Sequence, residues 1–475
     1  MHYGARLVIG GHSVAASTRG FDEMSKTGLR AMGVLLAMSL VMAACGSSSD
    51  DGDSAGGSGG GGGKAAQAVK VDYDAVGLWD DGPCDTAKPP LKIGTMTVFE
   101  SPVLSQKDQV TALEASATAF NKRGGANGSC IKIVACDDGA NADQAVGCVR
   151  TIDDAGVVAT VNDLTTAGAA EVNSAMSKAG IPQVANNVTP DNWGDPNVYP
   201  IEAGGTGITF MLPQGLVEQD VKEIGILRVD QAAASAMSGL LEGIYGDQGV
   251  TFPVDVPVTA GTTDYSQFIL AAQNKDVGGV ILAVGEQEAV QLVKAGQQLG
   301  TKMLFGSSLG SFPHAAVKDL GEFSGQMVFA TSYPPATIDL PVYKAMRADL
   351  AASGDKALQP ASLRVSSVHS WVGMYGLLWM LRNAKMTDFS REGVTKMLKE
   401  SPEVPMLGIF GDENWQPNED HPGLFKRAGT NHWGFYKWDA DAPAPDGLKG
   451  NFVESGDANF DELLCGSPLG APEPC

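Results

Sequence analysis

Three groups of side chains in this 475-residue sequence have the types and spacing for chemistry. The first is a pair of turns rich in hydroxyl and amide groups. Leu164-Thr165-Thr166-Ala167-Gly168 stands between an apolar run and a helical stretch, and Asn186-Asn187-Val188-Thr189-Pro190 follows the next apolar run. A helix start offers free backbone N–H groups and the positive end of its dipole, so a carboxylate is favoured beside Thr165 and Thr166. Helix capping and turn formation use the same residues and are the plainer account of Thr165, Thr166 and Thr189. The second group is Gly306-Ser307-Ser308-Leu309-Gly310, a G-x-S-x-G match after an apolar strand, the setting in which hydrolases hold a serine on a sharp turn. Asp412 and then His421 or His432 follow in the chain order of a hydrolase triad, which makes a secreted esterase-like protein the rival reading. Against it, Phe312-Pro313 interrupts the helix start, and short glycine motifs recur by chance among 60 glycines. A plain cleft-facing loop accounts for Ser307 and Ser308 equally well.

The third group is the seven cysteines. Cys45 closes an N-terminal pattern: Lys26 and Arg30, then the apolar run Ala31 to Val41, then Met42-Ala43-Ala44-Cys45. The apolar run is shorter than the roughly 20 residues a bilayer span needs and reads as a secretory signal. Residues 1–23 do not look like a signal start, and Met24 as initiator gives a conventional basic region. The last four residues resemble the bacterial lipobox, with methionine where leucine is usual. The resemblance implies lipidation of the Cys45 thiol and cleavage before it. Gly46 to Gly63 is Gly/Ser/Asp only and cannot pack a core, as expected of a tether. A plain secretion signal leaving a free cysteine is the alternative. The other six cysteines allow 15 pairings. Cys136 ends an apolar run and Cys148 lies in the helix packed back over it, so these two are expected to bond. Cys465–Cys475 would close a short terminal loop and leave Cys84–Cys130; two other pairings of these four stay open. No CxxC or HExxH supports a metal site, and no cofactor is expected.

The elements that position these groups are read from periodicity. Leu91–Val98 is an apolar run, Gln106 to Phe120 has helical spacing, and Asn121-Lys122-Arg123-Gly124-Gly125 stops it. Ile131–Asp138 is a second run, Asp143 to Asp154 a second helix and Ala155–Asp163 a third run. Continuous apolar runs joined by helical crossovers force parallel pairing, and such sheets bind ligands at the strand C-terminal edge. From about Gly204 the order repeats: strands at Val221–Val229, Val254–Val258, Val277–Val284, Lys302–Phe305 and Phe329–Thr331, with helices between, including Glu286 to Leu299. Helices at Val342–Ala352, Leu363–Leu381 and Arg391–Lys399 and strand pieces at Leu407–Phe410 and Trp433–Trp438 follow, with a Pro/Gly/Asp-rich tail after Asp439. The net charge of −22 argues against a nucleic-acid partner, which requires a basic face.

Taken in register, KIG near Leu91, NKRGG, Cys136-Asp137-Asp138, Gly180-Ile181-Pro182, IGIL, DYSQF, DVGGVIL and Gln298-Leu299-Gly300 resemble the type I periplasmic substrate-binding proteins, in particular the branched-chain amino-acid (Leu/Ile/Val) branch. The resemblance spans about Leu91 to Trp438. It implies an α/β fold of two doubly wound parallel-sheet lobes joined by three crossing segments, near Pro200–Gly205, Ala330–Pro335 and Glu403–Phe410. The implied organisation is a signal segment at 1–45, a tether at 46–68, lobe 1 at 69–204 plus 331–402, lobe 2 at 205–330 plus 403–440, and a tail at 441–475. The implied function is non-enzymatic capture of a small solute, an amino acid or amide, delivered to an ABC permease by a membrane-anchored extracytoplasmic lipoprotein. Carried over residue by residue, Thr166 with Thr165, and Asn187 with Thr189, would hold the ligand carboxylate. Glu288, with Glu286 beside it, would hold its ammonium, although first-turn acids also simply complement the helix dipole. The usual Tyr-Gly after the IGIL strand is replaced by Asp230-Gln231-Ala232, so Asp230 and Gln231 are expected there instead, and Phe99-Glu100 would line the side-chain pocket. A lobe pair of this kind feeding a signalling partner is a further alternative.

Overall fold

The computed structural model describes residues 71–99, 105–165, 167–187, 192–230, 232–259, 261–400, 403–418, 421, 425–467 and 470. The first lobe is built from β1 (Leu91–Thr97), α1 (Lys107–Lys122), β2 (Ile131–Asp137), α2 (Ala142–Asp154), β3 (Ala159–Val161), α3 (Ala169–Ala179), β4 (Gln183–Val184) and β5 (Val198–Tyr199). Its sheet is parallel throughout, in the order β2-β1-β3-β4-β5. β1 lies between β2 and β3 with almost every side chain buried, as an apolar run covered by helices on both faces requires.

The chain then crosses and repeats the pattern with α4 (Gly204–Val217), β6 (Glu223–Val229), α5 (Met237–Tyr245), β7 (Thr251–Val258), α6 (Ser266–Gln273), β8 (Gly279–Ala283), α7 (Glu286–Leu299), β9 (Leu304–Ser308), α8 (His314–Asp319) and β10 (Met327–Thr331). The parallel part of the second sheet, β7-β6-β8-β9-β10, has the strand order of the first. After β10 the chain returns to the first lobe, where α9 (Pro341–Ala351) and α10 (Val365–Asn383) pack on α1, and α11 (Arg391–Glu400) packs on α10. It ends in the second lobe with β11 (His432–Pro443), β12 (Lys449–Asn459) and α12 (Phe460–Leu464).

The structure corrects the sequence reading in three places. The stretch after Asp439, expected to be an end that is loose or ordered by a disulfide, forms regular structure as far as Leu464. β11 pairs antiparallel with β10, and β12 antiparallel with β11, so a hairpin closes the sheet edge and the second sheet is mixed. The third crossing also comes later than 403–410. Val404, Met406, Ile409, Phe410 and Trp415 sit in the core of the first lobe, whereas Phe425 sits in that of the second. Leu407–Phe410 forms a turn rather than a strand, held by isolated bridges Val404–Trp415 and Phe410–Glu413.

Cys136 and Cys148 are bonded, with their Cα atoms 5.6 Å apart, and so are Cys84 and Cys130, at 5.1 Å. Cys465 is disulfide-bonded as well; Cys475 and Cys45 lie outside the described residues. The segment entering the fold is fixed to the first lobe. Trp79 stacks on Phe120 and Tyr375 with ring centroids 5.4 and 6.3 Å away, and Arg382 lies over its ring. Tyr73 donates to Asp349, which also pairs with Arg123 through two hydrogen bonds of 2.7 and 2.8 Å. Among the described residues, no helix is long and apolar enough to cross a membrane.

Candidate functional site

The loop after β3 is built around a buried carboxyl. Asp163 accepts the Met96 N–H at 2.8 Å and the Thr160 hydroxyl, and burial raises its pKa to about 7. The Asn187 N–H donates to the Asp163 carbonyl at 2.8 Å, so the loops after β3 and β4 are tied together. Asn162, in the left-handed region, donates to the Ser370 hydroxyl of α10 at 2.8 Å. α10 approaches these strand ends closely at Gly373, where a Cβ would stand 2.8 Å from the Ala185 Cβ and 3.1 Å from Val161. One turn before Gly373, the same face carries His369, which bonds the Ala185 backbone.

These strand ends face the second lobe across a cleft. Gln106, Leu164, Asn187 and His369 line it from the first lobe, and Ile208, Glu286, Ser308 and Ser311 from the second. Glu202 and Ser332-Tyr333 supply its floor from the first two crossings. Glu202 is buried; its Oε2 accepts the Gly204 N–H at 2.7 Å and it accepts the Ser332 hydroxyl, and desolvation raises its pKa to about 7. Tyr333 and His369 lie ring against ring at 4.9 Å, both buried, with the Tyr333 Oη and the His369 Nε2 lacking hydrogen-bond partners. Burial lowers the His369 pKa to about 3, so the ring is neutral. With Nδ1 donating to the Ala185 backbone, Nε2 presents a lone pair.

Of the residues singled out in the sequence, Asn187 and Glu286 reach this cleft. Thr165 follows the lining residue Leu164 and is buried; Thr166, Thr189, Gln231 and Glu100 lie outside the described residues. Glu286 is engaged: Arg364, just before α10, donates to both its oxygens at 2.7 and 2.9 Å across the lobe boundary. Glu288 is half-buried beside Tyr265, whose pKa it helps to raise, and is not among the lining residues. Asp230 is exposed and accepts from the Thr259 hydroxyl at 3.1 Å. Phe99 is half-buried; its N–H donates to Asp137 and its carbonyl accepts from Ser105.

Ser308 also lines the cleft, but its hydroxyl accepts the Gly310 N–H at 3.2 Å as a turn cap. His421 bonds Asp461 and Asn431 instead, and no hydrogen bond among the described residues joins Ser308 to His421, His432 or Asp412. Among the described residues no group of acids, histidines and cysteines is arranged to hold a metal ion. Sequence reasoning missed Glu202, Tyr333 and His369. The first two stand in the crossing segments it located, and that position was the one signal available for them.

Residues 90–441 match the sequence model of the periplasmic binding proteins. No curated protein matches the chain by sequence at a significant level. Among solved structures, the chain is similar to a substrate-binding periplasmic protein from Ralstonia solanacearum, with a TM-score of 0.62 at 19% identity over 77% of this chain and 99% of that one. A fatty acid ABC transporter substrate-binding protein from Thermomonospora curvata gives 0.63 at 18% identity, over 81% and 96%. A leucine-, isoleucine-, valine-, threonine- and alanine-binding protein from Brucella ovis, in closed conformation, gives 0.62 at 15%, over 82% and 99%.

Proposed function

Because the chain belongs to the periplasmic binding protein family, a family of extracytoplasmic solute binders, we propose that it is the capture lipoprotein of an ABC importer. In this reading it takes a small solute, an amino acid or an amide, into the interlobe cleft by lobe closure. The observation that supports it is the cleft floor: the first two crossing segments contribute buried polar groups, Glu202 and Tyr333, to the lining between the lobes. Asn187, with Thr165, Thr166 and Thr189 in the loops tied to it, supplies donors from the first lobe. An ammonium group would compete with Arg364 for Glu286, and Glu288, Asp230 and Phe99 would act from the rim. The Thermomonospora relative is a fatty acid transporter component and the Brucella relative binds branched-chain and small amino acids, so the shared architecture serves solutes of differing chemistry. Lipidation of Cys45 and the Gly46–Gly63 tether would hold the protein at the membrane beside its permease; acyl chains contribute about 0.8 kcal/mol per buried CH₂.

The test is a thermal-shift screen of the purified protein against amino acids, amides and small carboxylates. A solute binding the native state stabilises it by RT ln(1 + [L]/Kd), about 2.7 kcal/mol at 100 Kd. A selective shift is expected for one chemical class; no shift with any of them, in a folded protein, would refute solute capture. For the anchor, Cys45→Ser is expected to release the protein from membranes, and an unchanged membrane fraction would refute lipidation.

A further inference from the structure

Apart from Tyr333 and His369, the ionisable groups in the lining of the cleft are of one kind. Its lining residues include two carboxyls, Glu202 and Glu286, and no lysine or arginine. Residues outside the described set beyond position 70 include no lysine or arginine either. Two cations adjoin lining residues along the chain: Lys107, after Gln106, is exposed, and Arg364, before Val365, spends two N–H groups on Glu286. A carboxylate entering this cleft would lose its hydration beside another carboxyl with no cation to replace it, which is costly in a partly desolvated site.

The floor instead offers acceptors. Nε2 of His369 has a bare lone pair, and Oη of Tyr333 is buried with its hydrogen uncommitted. The Glu202 carboxyl, near Tyr333 in the floor, already receives two donors and has acceptor capacity left. Buried polar atoms without partners are uncommon in native proteins, and a binding cleft is one place that retains them for a ligand. Leu164, Ile208 and Val365 give the same cleft an apolar wall.

We propose that the cleft is built for an uncharged carboxamide-type solute with an apolar body, its N–H groups on His369 and Glu202 and its carbonyl on the Tyr333 hydroxyl. A carboxamide matches all three because it brings two donors and one acceptor, whereas a carboxylate brings acceptors alone. The inference rests on the solute-capture reading and narrows its substrate class.

Acid–amide pairs test it on the unaltered full chain by calorimetry at neutral pH: benzamide against benzoate and isovaleramide against isovalerate, with benzylamine as the cation and leucine and alanine as the zwitterions. The amides are expected to bind at least tenfold more tightly than the matched acids. Tyr333→Phe removes only the uncommitted hydroxyl, so it is expected to leave the ligand-free Tm unchanged or higher while weakening amide binding about five- to tenfold, the range of one hydrogen bond. Tighter binding of the acids, of benzylamine or of zwitterionic amino acids would overturn the carboxamide assignment and leave solute capture standing. Amide affinity indifferent to Tyr333→Phe would overturn the proposed floor. Failure of every compound to bind would overturn both readings.

Discussion

The Arg364–Glu286 pair joins the lobes, and its removal is expected to loosen their closure without unfolding either one. Arg364 precedes α10, whose buried face is in the first-lobe core, and Glu286 opens α7, whose buried face is in the second. The contact is bidentate, at 2.7 and 2.9 Å, and the side chains are 19% and 13% exposed. Two unit charges about 4 Å apart attract by about 4 kcal/mol at an effective dielectric constant near 20. Desolvation and the freezing of two long side chains return most of that; fully exposed pairs retain only about 0.2–1 kcal/mol. Bidentate geometry and partial burial favour a higher net value, about 1.5 kcal/mol. Since the pair exists only when the lobes stand as they do here, that energy acts on the open–closed equilibrium and shifts it about tenfold. Glu286→Gln, Arg364→Met and the double variant form a cycle that subtracts each side chain's other contacts, including the favourable place of Glu286 at a helix start. Single-molecule transfer efficiency between dyes on the two lobes reads the closed fraction directly. A coupling energy near 1.5 kcal/mol is expected, with both single variants more open than the parent. Coupling below about 0.3 kcal/mol, or unchanged closure in both, would refute the latch.

Two further perturbations act on stability. Disulfides restrict the unfolded chain more when they close longer loops, so removing Cys136–Cys148, with a separation of 12, is expected to cost about 3 kcal/mol, and Cys84–Cys130, with 46, about 4 kcal/mol; denaturant titration of the paired Cys→Ser variants checks the order, and a reversed order would refute the loop-length account. Glu202 is raised from 4.5 to about 7 by burial, so the folded state holds its proton more tightly than the unfolded one. Its contribution is complete below pH 4.5 and lost as the pH rises to about 7, at most about 3 kcal/mol. Asp163, raised to about 7, and Asp138, to about 6, act with the same sign, whereas His369, lowered to about 3, disfavours the fold as pH drops below 6.5. Glu202→Gln is therefore expected to gain stability over the parent on going from pH 5 to pH 8, measured by Tm; a constant difference would show that the carboxyl does not carry the dependence.

The legible parts of the chain were those with strong periodicity. α7 begins and ends where its sequence pattern does, from Glu286 to Leu299, because a Gly flanks it at each side and its apolar residues keep helical spacing. β1 and β2 followed from continuous apolar runs, and the Cys136–Cys148 bond from a helix folding back over its strand. β12 was illegible because Lys449–Asn459 is an outermost strand whose second half has no buried residue, and its Glu, Ser, Gly and Asp residues read as loop. Within the site, Asn187 and Glu286 were reachable from their loops after strands. The commitment of Glu286 to Arg364, 78 residues away in the chain, was not, since no local pattern encodes an ion pair between lobes. Tyr333 and His369 meet only through the third dimension: one lies in a crossing segment and the other inside a helix whose residues are nearly all buried, leaving no polar face to mark it.

The division of labour in the cleft follows from where its residues are attached. Glu202 and Tyr333 belong to crossing segments, which connect the lobes and therefore stay at the pivot whatever the lobes do. Glu286 and Arg364 belong one to each lobe, so their separation changes with closure while that of the floor residues need not. In the proposed reading, affinity for a solute head group and the bias toward closure are thus set by different side chains. A floor variant such as Tyr333→Phe then alters how tightly a solute is held in the closed state, and a latch variant alters how often that state is visited. A solute can draw the lobes together only by the difference in its affinity for the two arrangements, and a latch of about 1.5 kcal/mol lowers what the solute must supply by about tenfold. Binding weakened by latch variants should accordingly be recovered at higher solute concentration with the ranking among solutes unchanged, whereas a floor variant should alter that ranking.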